Sequence, residues 1–196
     1  MDMYLLHVSY LIIMILDKNL KERVIINDRK AQLELYRLCF NILMGVARRY
    51  KKNEEEKQTL VNNAFIKIVT NLSNYKEQSN FSGWVKRIIT NEVIDDFRKQ
   101  KNYRELINQD YSIDNIEIEE YPIIDYRYSE QELLNMLEQL PRATKLVFNL
   151  FAIDGLSHKE ICAQLKISPE TSKWHMKEAR KLLKVMLSKQ IVDEKQ

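Results

Sequence analysis

SHKEICAQLKISPETSKWHMKEARKLLK, residues 157–184, contains two helix starts separated by almost nothing. Ser157 and Glu160 form an S-x-x-E capping box, in which each side chain satisfies a backbone N–H that the first helical turn leaves unpaired. Ile161 and Leu165, with Cys162 or Ala163, then face a core, and Lys166-Ile167 leaves room only for a short turn. Ser168 caps the next helix, Pro169 takes its first position, where an absent N–H is harmless, and Glu170 sits beside the positive end of the dipole. In that second helix Ser172, Met176, Ala179, Leu183 and Met186 recur at helical steps as an inward stripe. Lys173, Trp174, Lys177, Arg180, Lys181 and Lys184 make up the outward face. A short capped helix, a tight turn and a basic-faced second helix is a helix-turn-helix. An outward Trp174 is costly without a partner, whether nucleic acid, a subunit or another helix.

Upstream of this stretch the domain continues to about residue 130. Leu133 to Leu140 reads as a short helix ended by Pro141. Pro141 then suits the first position of RATKLVFNLFAID, which Gly155 terminates. The fold expected over 130–190 is therefore a small helical domain closed by the helix-turn-helix.

Before it, ELINQDYSIDNIEIEEYPIIDYRYSEQE shows no helical period and holds nine acidic residues against the single base Arg127. It reads as an acidic linker over 105–129. The flanks have the opposite sign: residues 28–104 hold sixteen Lys/Arg against nine Asp/Glu, and residues 133–196 hold eleven against seven. Basic blocks favour polyanions through counterion release, and the acidic segment between them is repelled by nucleic acid.

The second basic block, 27–104, is helical in pattern. Asp28 is a suitable cap for a helix whose expected inner face is Leu33, Tyr36, Phe40, Leu43 and Ala47. Asn53 caps the next helix, where Glu54, Glu55 and Glu56 complement the dipole and Leu60, Ala64, Phe65, Ile68 and Leu72 supply a core face. A polar loop comes next, over 70–80. A third helix runs from Phe81 to about Lys101, and Trp84, Ile88, Asn91, Asp95 and Arg98 share one of its faces. Residues 1–26 read as an N-terminal extension without functional weight. Their apolar stretch is interrupted by His7 and Ser9 and falls short of the ~18 apolar residues a membrane span needs.

Composition removes most other classes. Three glycines and three prolines in 196 residues are too few for a strand-rich sandwich or barrel, which needs a turn about every 8–12 residues. Gly45, Gly83 and Gly155 are too scattered to cradle a phosphate. Cys39 and Cys162 lie far apart inside apolar patterns, and His7, His158 and His175 cluster with nothing, so neither a disulfide scaffold nor a metal site is expected. Asp95 and Asp96 are adjacent and point in different directions on a helix. No catalytic residues and no cofactor are expected, and the chain is read as a non-enzyme: an all-α protein of two small helical domains joined by an acidic linker.

Across both domains the chain resembles the small two-domain RNA polymerase sigma factors of the extracytoplasmic-function group, over roughly Asn27 to Leu187. NDRKAQLELYRLC resembles the family's opening helix, LVNNAFIKI its polymerase-binding stretch, and FSGWVKRIITNEVIDDFRKQ its promoter-melting, minus-ten-reading helix. LPRATKLVFNLFAIDGLSHKEICAQLKISPETSKWHMKEARKLL follows the minus-thirty-five-reading pattern. The chain departs from that pattern at Thr59, Asn62 and Asn63 in the polymerase-binding stretch, and at Ser172 and Glu178 in the last helix, where valine and arginine are usual.

The resemblance implies a transcription initiation factor, working in the cytoplasm with core RNA polymerase, promoter DNA and an anti-sigma factor as partners and no membrane insertion. Polymerase contacts are expected at Thr59, Asn62, Asn63, Phe65 and Lys67. For the upstream element, Ser168, Glu170, Thr171, Lys173, Trp174 and His175 occupy the half of the helix that faces base edges, while Lys177, Arg180 and Lys181 suit phosphates. For the minus-ten element, unpaired bases need aromatics and amides in a basic groove. Asn74, Tyr75, Asn80, Phe81, Trp84, Lys86, Arg87, Asn91, Asp95, Arg98 and Lys99 offer one. For Phe81 and Trp84 core packing is favoured over base stacking, and Asn91 with Asp95 are open to a buried hydrogen-bonded pair. The competing reading is a helix-turn-helix activator whose first domain binds a ligand or partner.

Overall fold

Most helix starts are set by side-chain caps. In the computed structural model, which describes residues 16–76, 80–99 and 129–193 (the side chains only to 188), every described element is helical. The chain divides into two compact units, the boundary falling between Val93 and Ile94. The 105–128 part of the expected acidic linker lies outside the described residues.

In the first unit, α1 (Lys18–Ile25) opens on Asp17, whose carboxylate accepts from the Leu20 N–H at 2.9 Å. Leu16, Leu20 and Val24 are buried, each such side chain stabilising the fold by about 1.5–3 kcal/mol. The extension expected over 1–26 thus contains a packed helix whose start is signalled by Asp17. Asn27, in the left-handed region at φ 65, turns the chain into α2 (Arg29–Tyr50). Asp28 caps α2 as expected, accepting from the N–H groups of Lys30 at 2.8 Å and Ala31 at 3.2 Å and from Arg23 Nε at 3.0 Å. Arg23 and the Ala31 amide hold its carboxyl below the usual range.

The inner face of α2 differs from the expected one. Ala31, Leu35, Cys39, Leu43, Val46 and Ala47 are buried, whereas Leu33 is 51% and Phe40 36% exposed. The stripe is rotated because α2 must serve two neighbours, α1 and α3, while Tyr36 and Phe40 are drawn aside into ring contacts. α3 (Glu54–Asn71) is capped by Asn53 and buries Leu60, Val61, Ala64 and Ile68. It ends in a 3-10 turn, Leu72–Asn74. α4 (Phe81–Arg98) starts at Asn80, whose carbonyl oxygen accepts from the Gly83 N–H at 3.3 Å and the Ser82 hydroxyl at 2.8 Å. It buries Phe81, Val85, Ile89, Val93, Ile94 and Phe97.

In the second unit, α5 (Glu130–Glu138) carries a capping box of Ser129 and Glu132. Pro141 is the cap of α6 (Arg142–Phe148) rather than its first residue, and α6 widens into a π turn, Asn149–Ile153. Gly155 ends it at φ 77, a conformation that side-chain-bearing residues adopt at a cost of about 1–2 kcal/mol. The Ser157–Glu160 capping box opens α7 (His158–Leu165). Lys166, at φ 51, and Ile167 make the turn. Ser168 then starts α8 (Pro169–Asp193), its hydroxyl accepting from the Thr171 N–H at 3.1 Å. Leu137, Leu140 and Ala179 form a buried cluster extended by Phe148, Leu182, Leu183 and Met186, so α8 is tied to α5 and α6 well beyond the turn.

Candidate nucleic-acid interface

The helix-turn-helix is held in register by polar as well as apolar contacts. Ser172, His175, Met176 and Ala179 of α8 are all buried. The Ser172 Oγ lies 2.8 Å from His158 Nδ1 on α7, and the His158 ring stacks on Phe151 with centroids 4.3 Å apart. The His175 Nδ1 lies 3.0 Å from the Thr144 hydroxyl on α6. One residue of α8 is therefore keyed to each flanking helix, which fixes which face of α8 turns outward.

His175 is a correction to the expected base-reading set. It is fully buried, because the step from Ser172 to His175 to Ala179 returns to one face of the helix, and burial lowers its pKa to about 4. Its neutral ring serves packing, not base edges. Trp174 is half-buried, its ring 5.1 Å from that of His175, and so only partly outward. Lys173, Arg180 and Lys181 are exposed as expected, Thr171 and Lys177 half-exposed. Ser168 is exposed but spends its hydroxyl on the cap. Glu170 is exposed at the helix start, where backbone and Ser168 hydrogen bonds lower its pKa. His158, partly buried beside Lys173 and Arg180, is also shifted down. The positive field that favours phosphates opposes a further charge on that imidazole.

α4, which runs across the boundary between the units, presents a different surface. On α4, Lys86, Arg87, Asn91, Arg98 and the following Lys99 are exposed, and Trp84, Ile88 and Asp95 are half-buried. All but Lys86 share a face or flank it, giving a basic strip with an amide and part of an indole; at ~100° per residue Lys86 lies about 140° around the helix from Asn91. Asn91 is exposed, so a buried Asn91–Asp95 pair is not formed. Helical geometry explains it: the residues buried against the core, Ile89 and Val93, lie about 160° around the helix, on the face opposite Asn91.

Tyr75 is also corrected, while Phe81 takes the core-packing role favoured for it. Both are buried, at 2% and 0% exposure, with their rings in edge contact at 5.2 Å. Trp84 completes the cluster, 5.3 Å from Tyr75 and stacked on Phe81 at 5.8 Å. For these two rings core packing prevails over base stacking, because the chain entering α4 needs its own apolar plug. Asn74 is exposed on the 3-10 turn, and Asn80 is exposed but engaged as the α4 cap.

On α3, Thr59, Asn62 and Asn63 are exposed, and the helical steps continue to Ile66, 60% exposed. Ile66 is absent from the expected contacts, although its place in the 59/62/63/66 series signals it. Phe65 instead leans towards α2, in edge contact with Tyr36 at 5.0 Å. Lys67 forms an ion pair with Glu92 of α4, whose carboxylate is buried. Lys67 is thus part of the α3–α4 joint.

Among the described residues there is no cluster of His, Cys, Asp and Glu that could hold a metal, and no helix long and apolar enough to cross a membrane. Cys39 is buried, which pushes its thiol up to about 12.

Both helical parts of the chain match known families. Residues 35–103 match the model of sigma-70 region 2, and residues 130–183 match that of sigma-70 region 4. Among curated relatives, the ECF RNA polymerase sigma factor SigE of Mycolicibacterium smegmatis is 29% identical over 161 residues, covering 80% of this chain and 61% of the relative. The chain therefore spans less than two thirds of that protein. The ECF RNA polymerase sigma factor SigW of Bacillus subtilis is 28% identical over 163 residues, covering 79% of this chain and 83% of the relative. In fold, the chain is similar to the sigma factor RpoE of Bartonella quintana, solved in complex with the anti-sigma factor NepR. That likeness has a TM-score of 0.50 at 21% identity and covers 79% of this chain and 95% of that one.

Proposed function

Because the chain belongs to the sigma-70 family, with the region 2 and region 4 matches together spanning more than half of it, we propose that it directs core RNA polymerase to specific promoters. The observation that carries this is the order of parts in one chain. A region 2 match whose α4 exposes a basic strip is followed by a region 4 match whose α8 exposes Lys173, Arg180 and Lys181. A stand-alone activator needs only the second of these.

In this reading α8 enters the major groove of the upstream element. Thr171 and Lys173 face base edges, with Trp174 packed beside them, and Lys177, Arg180 and Lys181 meet phosphates. Ser168 and Glu170 shape the helix start. The α4 strip, Arg87, Asn91, Arg98 and Lys99 with the free edge of Trp84, holds the separated strand of the minus-ten element, and Lys86 lies on the other side of the helix. Asn74, Asn80 and Asp95 border it, and Tyr75 and Phe81 support it from beneath. Thr59, Asn62, Asn63 and Ile66 form the polymerase-facing stripe, with Phe65 and Lys67 fixing α3 behind it.

The chain supplies binding and positioning, while the polymerase supplies the chemistry; the site of action is the cytoplasm. The acidic segment separates two basic domains that then read two promoter elements. An anti-sigma factor is the expected protein antagonist, as for the relative from Bartonella quintana, whose structure holds one.

The test is run-off transcription with a bacterial core polymerase over a promoter library. Initiation from a defined pair of upstream and minus-ten sequences, absent without the chain, is the expected result. Nanomolar sequence-specific binding to duplex DNA by the chain alone, with no effect on initiation, overturns the reading in favour of an activator.

A further inference from the structure

The region 2 match begins at residue 35, so α1 stands outside it, yet α1 reaches the place where the promoter-facing helix begins. α1 is anchored twice. Leu16, Leu20 and Val24 are buried, and Arg23 crosses to Asp28, its Nη2 2.9 Å from the carboxylate. Besides α2, α1 packs on the 3-10 turn Leu72–Asn74. From this platform Lys21 Nζ donates to the backbone carbonyl of Tyr75 at 2.9 Å. The same ammonium lies 5.9 Å from the centre of the Tyr75 ring, within reach of a cation–π attraction.

Tyr75 is the hub of this joint. Its ring is buried against Phe81 and Trp84, the first and fourth residues of α4, and its backbone comes directly after Asn74. A lysine on α1 therefore fixes both the main chain and the ring of the residue that connects the exposed Asn74 to the indole of Trp84. A charge-assisted bond to a carbonyl is among the stronger polar contacts a side chain makes, and this one joins residues 54 positions apart.

We propose that Lys21 is a positioning residue for promoter opening: by holding Tyr75, it presets Asn74 and Trp84 to receive an unpaired base of single-stranded promoter DNA. The inference rests on the initiation reading above. It assigns to α1 a part in strand separation, while leaving duplex recognition to α8 and polymerase contact to α3. Loss of the bond lets the 72–76 segment sample other positions, so each opening event must first recover the competent one.

The experiment compares the full chain with Lys21→Met, which keeps the apolar stem, and Lys21→Arg, which keeps the charge. With core polymerase, Lys21→Met should slow open-complex formation on duplex promoters by about ten-fold, the size of a lost charged hydrogen bond. On a pre-melted template the loss should stay within about two-fold, since strand separation is no longer required. Association with core polymerase should be unchanged, the thermal midpoint should fall by a few degrees at most, and Lys21→Arg should recover most of the rate. A separate arm places the variants in a Trp174→Phe chain, used for fluorescence only, so that Trp84 is the sole tryptophan. There Lys21→Met should increase quenching of Trp84 by acrylamide.

Normal opening by Lys21→Met overturns the inference, as does a deficit of equal size on both templates or one that vanishes when opening is assayed well below the variant's thermal midpoint. Failure of the unmodified chain to initiate with core polymerase overturns the initiation reading, and the opening role with it. Initiation by the unmodified chain and by Lys21→Met alike overturns the inference alone.

Discussion

Acidification should unfold the second unit from within, at His175. The imidazole is fully buried on α8, with Nδ1 3.0 Å from the Thr144 hydroxyl. Burial lowers its pKa from 6.5 to about 4. Above pH 7 the ring is neutral in the folded and unfolded chains alike, and its packing is worth its full amount. Between pH 6.5 and 4 the unfolded chain takes up a proton that the folded chain refuses, so stability falls as pH falls. At ~1.4 kcal/mol per unit the full loss is about 3 kcal/mol, complete near pH 4. His158, held down by burial and by Lys173 and Arg180, adds in the same direction. A domain of roughly 60 residues commands about 3–9 kcal/mol in all, so the loss is a large share of what it has.

The assay is hydrogen exchange of peptides from residues 142–183 in the full chain at pH 7, 6 and 5, corrected for intrinsic exchange, alongside ring-proton titration of the histidines. The expected result is a domain opening free energy that falls by about 2 kcal/mol between pH 7 and 5, with a His175 ring that stays neutral through pH 5. His175→Asn keeps an amide near the Thr144 hydroxyl and cannot titrate; it should be less stable at pH 7 but lose much of this slope. A His175 ring that titrates near 6.5, or an equal slope in His175→Asn, refutes the reasoning.

Lys67→Glu should cost about 2 kcal/mol of stability, less than the roughly 3–5 of a fully enclosed pair because the lysine is partly exposed; thermal melts should show the loss, and Glu92→Gln should relieve most of it. Ile66→Asp should leave the melt within about 0.5 kcal/mol of the parent yet weaken association with core polymerase by about ten-fold, and unaltered association by fluorescence anisotropy moves that contact off α3. Lys173→Ala should relax preference at one or two upstream base pairs, by about 1–3 kcal/mol of discrimination. Arg180→Ala should instead weaken all promoters alike and reduce the salt slope by about one, both read by competition binding of the polymerase holoenzyme across salt concentrations.

Caps were the most legible part of the sequence. Asp28, Asn53, Ser157 with Glu160 and Ser168 each start a helix where their residue types demand one, because a cap depends on three or four neighbouring residues and little else. Faces were less legible. On α2 the apolar residues Leu33, Leu35, Tyr36, Leu38, Cys39 and Phe40 offer more than one stripe, and only the packing of α1 and α3 selects Leu35 and Cys39. α1 itself was hidden by the apolar run before it, although Asp17 and the Leu16, Leu20, Val24 spacing carry an ordinary helix signal. His175 and Tyr75 were misplaced for one reason: residue type suggested nucleic acid, while their burial depends on Thr144, Lys21 and Phe81, partners 31, 54 and 6 positions away.

The burial of Tyr75 and Phe81 changes how strand separation must work. A base cannot stack on a ring whose faces are already taken, so these two aromatics act through rigidity instead of contact. The exposed chemistry left on α4 is cationic and amidic, with one indole edge, which suits a backbone and a single turned-out base more than a run of stacked ones. Selectivity for sequence then has few places to reside: the amide of Asn91, the exposed side of Trp84, and Asn74 on the turn before. Asn80 is bound to its own helix. Because Tyr75 directly follows Asn74 and packs on Trp84, the fit of that single base would depend on how firmly Tyr75 is held, and Lys21 is bonded to its carbonyl. On the initiation reading proposed above, minus-ten specificity would then be a property of the joint between α1 and α4 as much as of the residues that touch DNA.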